Sequence, residues 1–317
     1  MTEMDGMDSF TGKIVHSSEL DDVELAGKRV VIVGSGASGV EAAELAVNKN
    51  AKHATVLARS DKWIIPRNTL FDIMLALQPF GREMPLSFIP EWLIRLFHYR
   101  DLRHLAPAKK GLFEATPIVN NDFLAHVRAG AISYRRASTK RIESHGVRVD
   151  GHDAMGEPVK GEQDDFVRAD VIVLATGFER PSIDFLPDDL FPVEDDMDYR
   201  RPNLYIQNVP VTDCSVLLTN SAYMDAIGTV GNWHIGILTR IMLVFLMDES
   251  TRPSPRGMKL WVMGVNWLKL NSWGGDKSGL AFFSYSELVF YMLSFHLFRP
   301  MRLRWFPFVC FGWGVSA

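Results

Sequence analysis

Short, fully apolar β-branched runs alternate with a helical pattern in the first part of the chain. Val30-Val31-Ile32-Val33 is such a run, and a strand of this kind is buried on both faces. The segment Gly34-Ser35-Gly36-Ala37-Ser38-Gly39 follows, and then Ala-, Glu- and Leu-rich residues from Val40 to Asn48 that predict a helix. Thr55-Val56-Leu57-Ala58 predicts a second strand, so these elements form a βαβ unit of about 30 residues. Further strands are predicted at Ala131-Ile132-Ser133-Tyr134, Gly146-Val147-Arg148-Val149 and Val171-Ile172-Val173-Leu174. Residues 66–117 carry several prolines around an aromatic, basic segment from Glu91 to Arg103 that predicts a helix, and the whole reads as an insertion of helices and loops. Residues 151–165 predict a polar hairpin or loop, and 182–200 an acidic surface excursion. Residues 227–247 predict a helix, and 251–257, with Pro253 and Pro255, a linker.

Residues 280–315 are dense in Phe, Trp, Leu and Met, but Glu287, His296, Arg299, Arg302 and Arg304 interrupt them. No stretch reaches the roughly 18 apolar residues of a spanning helix. Two readings stay open: a buried helical tail, or an interfacial anchor with Arg and Trp at the headgroup level, hence peripheral membrane contact through 280–315.

Composition narrows the classes. Of 317 residues, 47% are hydrophobic and 23% charged, an ordinary globular balance with room for one large domain or two smaller ones. A net charge of −4 and the lack of a long basic tract argue against nucleic acid as a partner. Cys214 and Cys310 alone make neither a disulfide framework nor a zinc site, and no metal cluster is legible, so a reducing, cytoplasmic compartment is expected.

The glycine turn carries the clearest chemistry. A pyrophosphate needs backbone N–H groups at close range and the positive end of a helix dipole. Gly34 lets the strand turn, Gly36 leaves the phosphates room, and Gly39 lets the helix approach the sheet. Ser35, Ala37 and Ser38 complete the cradle. At the end of the second strand an NAD site usually has an acid for the ribose 2′-OH. Here Arg59 and Ser60 stand there, with Lys62 near, and these groups attract a 2′-phosphate. NADP is therefore the expected nucleotide.

Around this unit lie Phe10, Gly12, His16 and Asp21 upstream, then Trp63 with Pro66-Arg67, Pro117-Ile118-Val119-Asn120-Asn121, and Ala175-Thr176-Gly177-Phe178. Together they resemble the class B flavoprotein monooxygenases, the flavin-containing and Baeyer–Villiger types, whose fingerprint is F-x-G-x-x-x-H. Leu20 stands where that fingerprint has an aromatic residue. The resemblance implies an α/β fold: a Rossmann-type NADP domain inserted in a partial flavin domain, with a helical C-terminal extension. The expected divisions are a linker with the fingerprint at 1–27 and an NADP-binding domain at 28–168. A flavin-domain return segment at 169–250 and the apolar extension at 251–317 follow. It implies NADPH and FAD as cofactors, O₂ and a small, lipophilic organic substrate as partners, and insertion of one oxygen atom into that substrate. His16 is implied to couple the domains. Arg67 is, with His16, the candidate catalytic residue: it is expected to face the cofactor phosphates or to stabilise the peroxyflavin, with a surface position as the alternative, and Thr176 and Gly177 are assigned to cofactor binding. Only one G-x-G-x-x-G is present, at Gly34, so the flavin cradle is expected to be missing from this chain. That leaves an NADP-binding fragment or subunit as an alternative, and a flavin-free reductase as another, although no Tyr-x-x-x-Lys pair supports the latter. Asn220, Tyr223, Asp225, Asn232 and His234 are read either as pocket residues or as satisfied loop and core positions.

Overall fold

The computed structural model describes residues 4–69, 71, 73, 85–108, 110–114, 117–153, 165–178, 185, 204–217, 225–226, 232–272 and 282–314. Most of the expected loops at 151–165 and 182–200, together with Asn220, Tyr223 and the side chains of Asp225, Asn232 and His234, lie outside the described residues. The chain divides into two compact units, Met1–Asn68 with Ser87–Arg180, and Thr69–Leu86 with Pro181–Ala317.

The first unit is α/β. Its strands in chain order are β1 (Lys13–His16), β2 (Arg29–Val33), β3 (His53–Ala58), β4 (Ile64–Ile65), β5 (Ile118–Val119), β6 (Ile132–Glu143), β7 (Gly146–Gly151), β8 (Asp165–Arg168) and β9 (Val171–Leu174). A seven-stranded sheet has the order β1-β9-β2-β3-β6-β7-β8. The five strands from β1 to β6 in that order run parallel, and β7 and β8 continue antiparallel. β4 and β5 pair separately and in parallel. The apolar runs of β2 and β9 lie inside the sheet and are buried at nearly every position, as a parallel strand covered on both faces requires.

Helix α1 (Ala37–Asn48) links β2 to β3 and buries Gly39, Val40, Ala42, Ala43 and Ala46. It starts three residues before the helical composition becomes evident, because its first turn is the glycine cradle itself. α2 (Phe88–Leu93) runs into a π-helical turn, Ile94–Tyr99, and a 3₁₀ segment, Arg100–Leu105, with a kink at Leu102. The aromatic, basic stretch is thus three short helical pieces rather than one helix. α3 (Phe123–Arg128) precedes β6. The residues expected as a linker before β2 contribute β1, which adds to the sheet beside β9. β6 also runs nine residues beyond the apolar pattern that announced it. Its outer half, rich in Arg, Ser, Thr and Lys, is held by the ladder to β7 with a bulge between Thr139 and Arg141.

The second unit is helical. A hairpin of β10 (Leu204–Tyr205) and β11 (Val209–Pro210) accompanies α4 (Asn232–Met247), α5 (Pro255–Asn271), α6 (Tyr285–Leu297) and α7 (Phe306–Phe311). Residues 251–257, expected as a linker, instead end one 3₁₀ turn and begin α5. Ser254 caps that helix through its hydroxyl, which accepts from the Gly257 N–H at 3.2 Å. Ile241, Phe245, Trp261, Tyr291 and Phe295 lie in its core. The charges that interrupt the apolar tail are largely internal. Glu287 and Arg302 are 0% and 2% exposed. Lys269 Nζ lies 2.8 Å from Glu287 Oε2, which also accepts from the Tyr291 hydroxyl at 2.8 Å. Arg302 donates to the Thr251 and Phe295 carbonyls and stacks on the Phe295 ring at 4.3 Å. Arg302 is therefore a core residue and not a headgroup anchor, whereas Arg304 is exposed and pairs with Asp248. Among the described residues no helix is long and apolar enough to cross a membrane.

Candidate functional site

In a parallel sheet the carboxyl ends of the strands lie along one edge, and ligands bind in the crevice outside it. The register of β1, β9, β2, β3 and β6 brings His16, Leu174, Val33 and Ala58 toward that edge. The residues that follow each strand therefore meet there.

Gly34 leaves β2 with φ +116, in the region that favours glycine, and donates its N–H to the Leu57 carbonyl at 3.0 Å. A Cβ on Gly34 would lie 2.3 Å from the Ala175 oxygen, and one on Gly39 would lie 2.1 Å from the Gly34 oxygen. Both glycines are demanded by backbone packed against backbone. Gly36 differs: a Cβ there would meet nothing within 4 Å. The N–H groups of Gly39 and Val40 both turn back to the Gly36 carbonyl at 3.0 Å. Those of Gly36, Ala37 and Ser38 have no acceptor among the described residues. The start of α1 is thus an open set of donors at the positive end of a helix dipole, with room in front of Gly36.

Ser35 is buried and donates its hydroxyl to the Ser60 carbonyl at 3.1 Å, tying the glycine turn to the end of β3. Arg59 and Ser60 are exposed and Lys62 half-buried. Neither cation is held by another described side chain. On the other side of β2, Gly177 has φ +91 and Phe178 is 70% exposed. The Phe178 ring meets His16 edge-on, with centroids 4.8 Å apart. His16 caps the following 3₁₀ turn: its Nδ1 accepts from the Ser18 N–H and lies 2.8 Å from the Ser18 hydroxyl. The structure thus joins Ser35 to Ser60, Gly34 to Ala175, and His16 to Phe178. Arg67 is exposed in the loop after β4, where its backbone N–H donates to Asn121 Oδ1 at 2.7 Å, and no contact joins it to the glycine turn.

One pair at this edge was not anticipated from sequence. Asp61 follows Ser60, and its Oδ2 lies 2.7 Å from Arg136 Nε on β6, with the two side chains 12% and 13% exposed. The Tyr134 hydroxyl donates to Asp61 Oδ1 at 3.4 Å. Burial, and then the Asp61 carboxylate, push the Tyr134 phenol above its usual range.

A family model described as FMO-like, flavin-binding monooxygenase-like, matches residues 1–213, and the chain belongs to that family. Among curated relatives, the FAD-binding monooxygenase ktnD of Aspergillus niger is 29% identical over 213 residues, covering 55% of this chain and 32% of its own. The indole-3-pyruvate monooxygenase YUCCA4 of Oryza sativa subsp. japonica is 31% identical over 194 residues, covering 56% and 40%. The chain therefore spans about a third to two fifths of the length of these relatives. Among solved structures, cyclohexanone-bound cyclohexanone monooxygenase in the Rotated conformation is similar with a TM-score of 0.58 at 14% identity. That match covers 93% of this chain and 70% of the other, and it speaks to the fold.

Proposed function

We propose that this chain provides the NADPH-binding part of a flavin-dependent monooxygenase, an oxidoreductase that inserts one oxygen atom from O₂ into a small, lipophilic organic substrate. The observation that carries the reading is the open cradle before Gly36, flanked by Arg59 and Lys62, neither of which has a side-chain partner among the described residues. It fits a dinucleotide: the free N–H groups of Gly36, Ala37 and Ser38 suit a pyrophosphate, and the cations suit a 2′-phosphate. Ser35 sets the spacing between these two positions through Ser60. Thr176 and Gly177 line the same edge beyond β9, and His16 steadies Phe178 there. In this reading His16 is a positioning residue that couples the edge to what lies beyond it, and Arg67 has a solvent-facing role.

When bound, NADPH supplies a hydride, and in this family a flavin takes it up and activates O₂. Among the described residues there is a single strand–glycine turn–helix cradle, and it goes to the pyridine nucleotide. FAD enters as the family's cofactor, and no residue here is assigned to hold it. That single cradle also favours a second reading, an NADP-binding fragment or subunit whose flavin is held elsewhere. Location in the cytoplasm with peripheral membrane contact through 280–315 belongs to the same proposal. It is supported by exposed Leu297, Phe298, Phe311 and Trp313 on that segment.

Titration of the purified chain with NADPH and NADH, followed by NADPH oxidation and O₂ uptake with added FAD, tests the reading. Selective NADPH binding with flavin-dependent O₂ uptake supports the first form, and NADPH binding without flavin uptake the second. Binding of neither nucleotide refutes both.

A further inference from the structure

The stretch proposed above to receive the ribose 2′ position contains a carboxylate. After Ala58 the chain reads Arg59, Ser60, Asp61 and Lys62. In this fold an acid at the end of that strand favours NAD, because it accepts from the ribose hydroxyls and repels a 2′-phosphate. Asp61 is turned inward instead. Its Oδ2 is paired with Arg136 Nε at 2.7 Å and its Oδ1 accepts from Tyr134 at 3.4 Å, so both oxygens are engaged by side chains of β6. Arg136 is the β6 register partner of Ala58, which places its guanidinium directly beside the start of the loop. Its Nη2 is buried without an acceptor, and Asp61 is the acceptor this guanidinium has among the described residues. Arg59, by contrast, is exposed and has no side-chain partner among the described residues.

We propose that Arg136 is a specificity-determining residue that acts without touching the nucleotide: by holding Asp61 inward it removes the one carboxylate of the 59–62 loop from the 2′ position and leaves that position to Arg59 and Lys62. The inference rests on the NADP site proposed above and adds the residue that enforces its preference. The Arg136–Asp61 pair also fixes the loop to β6, while Ser35 fixes it to the glycine turn through Ser60. A carboxylate released near a 2′-phosphate at the protein surface disfavours it by about tenfold or more.

The test is titration of the full chain with NADPH and with NADH, followed by nucleotide fluorescence, with thermal melting as the check on folding. Arg136→Met is expected to lower the NADPH-to-NADH affinity ratio by about tenfold or more. The double variant Asp61→Asn/Arg136→Met returns the ratio to within about threefold of the starting protein, since no carboxylate is left to release. Arg136→Lys, which keeps the charge, preserves the ratio. Loss of one partner of a buried pair is destabilising, so Arg136→Gln, which keeps a donor but not the charge, reads the same ratio should Arg136→Met fail to fold. Equal weakening of both nucleotides by the single variants overturns the inference, as does a double variant that loses selectivity like the single one. Weaker NADH binding by Asp61→Asn alone also overturns it, because the carboxylate would then already be a ribose ligand. If the unaltered chain binds NADPH selectively and the ratio does not respond to Arg136, only this inference falls. If it binds neither nucleotide, the site itself falls with it.

Discussion

Gly36 and Gly39 separate binding from folding within one turn of chain. At Gly39 an added Cβ would lie 2.1 Å from the Gly34 oxygen and 2.9 Å from its carbon, both backbone atoms, so α1 must move off β2 by about 1 Å to admit it. Overpacking of this kind costs about 1–3 kcal/mol, so Gly39→Ala is expected to lower the urea midpoint as well as nucleotide affinity. Gly36 has φ −73, which alanine adopts freely, and its Cβ would meet nothing within 4 Å. The poorer cap and the less flexible unfolded chain offset each other, leaving Gly36→Ala within about 1 kcal/mol in stability. The same methyl group would stand where the pyrophosphate approaches the free N–H groups, so NADPH affinity is expected to fall more than tenfold, or about 1.4 kcal/mol. Urea denaturation and calorimetric titration of both variants read the two effects independently. Unchanged NADPH affinity in a folded Gly36→Ala protein refutes the cradle. Unchanged stability in Gly39→Ala refutes the backbone contact.

Three further outcomes follow from other parts of the molecule. Arg59→Ala is expected to weaken NADPH about tenfold or more while leaving NADH nearly unchanged, since only a 2′-phosphate uses that charge; nucleotide titration checks it. Lys269→Met strands the buried Glu287 carboxylate and is expected to cost about 3–5 kcal/mol in urea denaturation, with Lys269→Met/Glu287→Leu recovering much of it. The His98 imidazole is held down to about 4 by burial, then by Arg128 and Arg100. The unfolded chain takes up that proton near pH 6.5 and the folded chain does not, so stability falls as pH drops from 6.5 toward 4. His98→Gln flattens this slope in melts run across that range.

What sequence pattern reveals depends on how local the cause is. The β-branched runs at Val30 and Val171 and the glycine turn are local, and the strands and α1 appear where those patterns place them. The outer half of β6 is charged and has no apolar period; it is a strand because β7 pairs with it across a two-residue turn. The Asp61–Arg136 pair joins residues 75 positions apart through the β3–β6 register, which no spacing along the chain encodes. Glu287, His296 and Arg302 read as polar breaks in an apolar tail, and an unpaired charge there would face solvent. Glu287 and Arg302 find partners on other elements and His296 bonds back to Met292 one turn earlier, which lets the second unit bury all three.

The central claim is a nucleotide site at the carboxyl ends of β2, β3 and β9, and amide hydrogen exchange with and without NADPH tests it most directly. Slowed exchange is expected in peptides covering residues 34–40 and 59–62, with a smaller effect at 176–178, and none of comparable size at 59–62 with NADH. Protection confined to residues 204–314, or none at 34–40 under saturating NADPH, would contradict it.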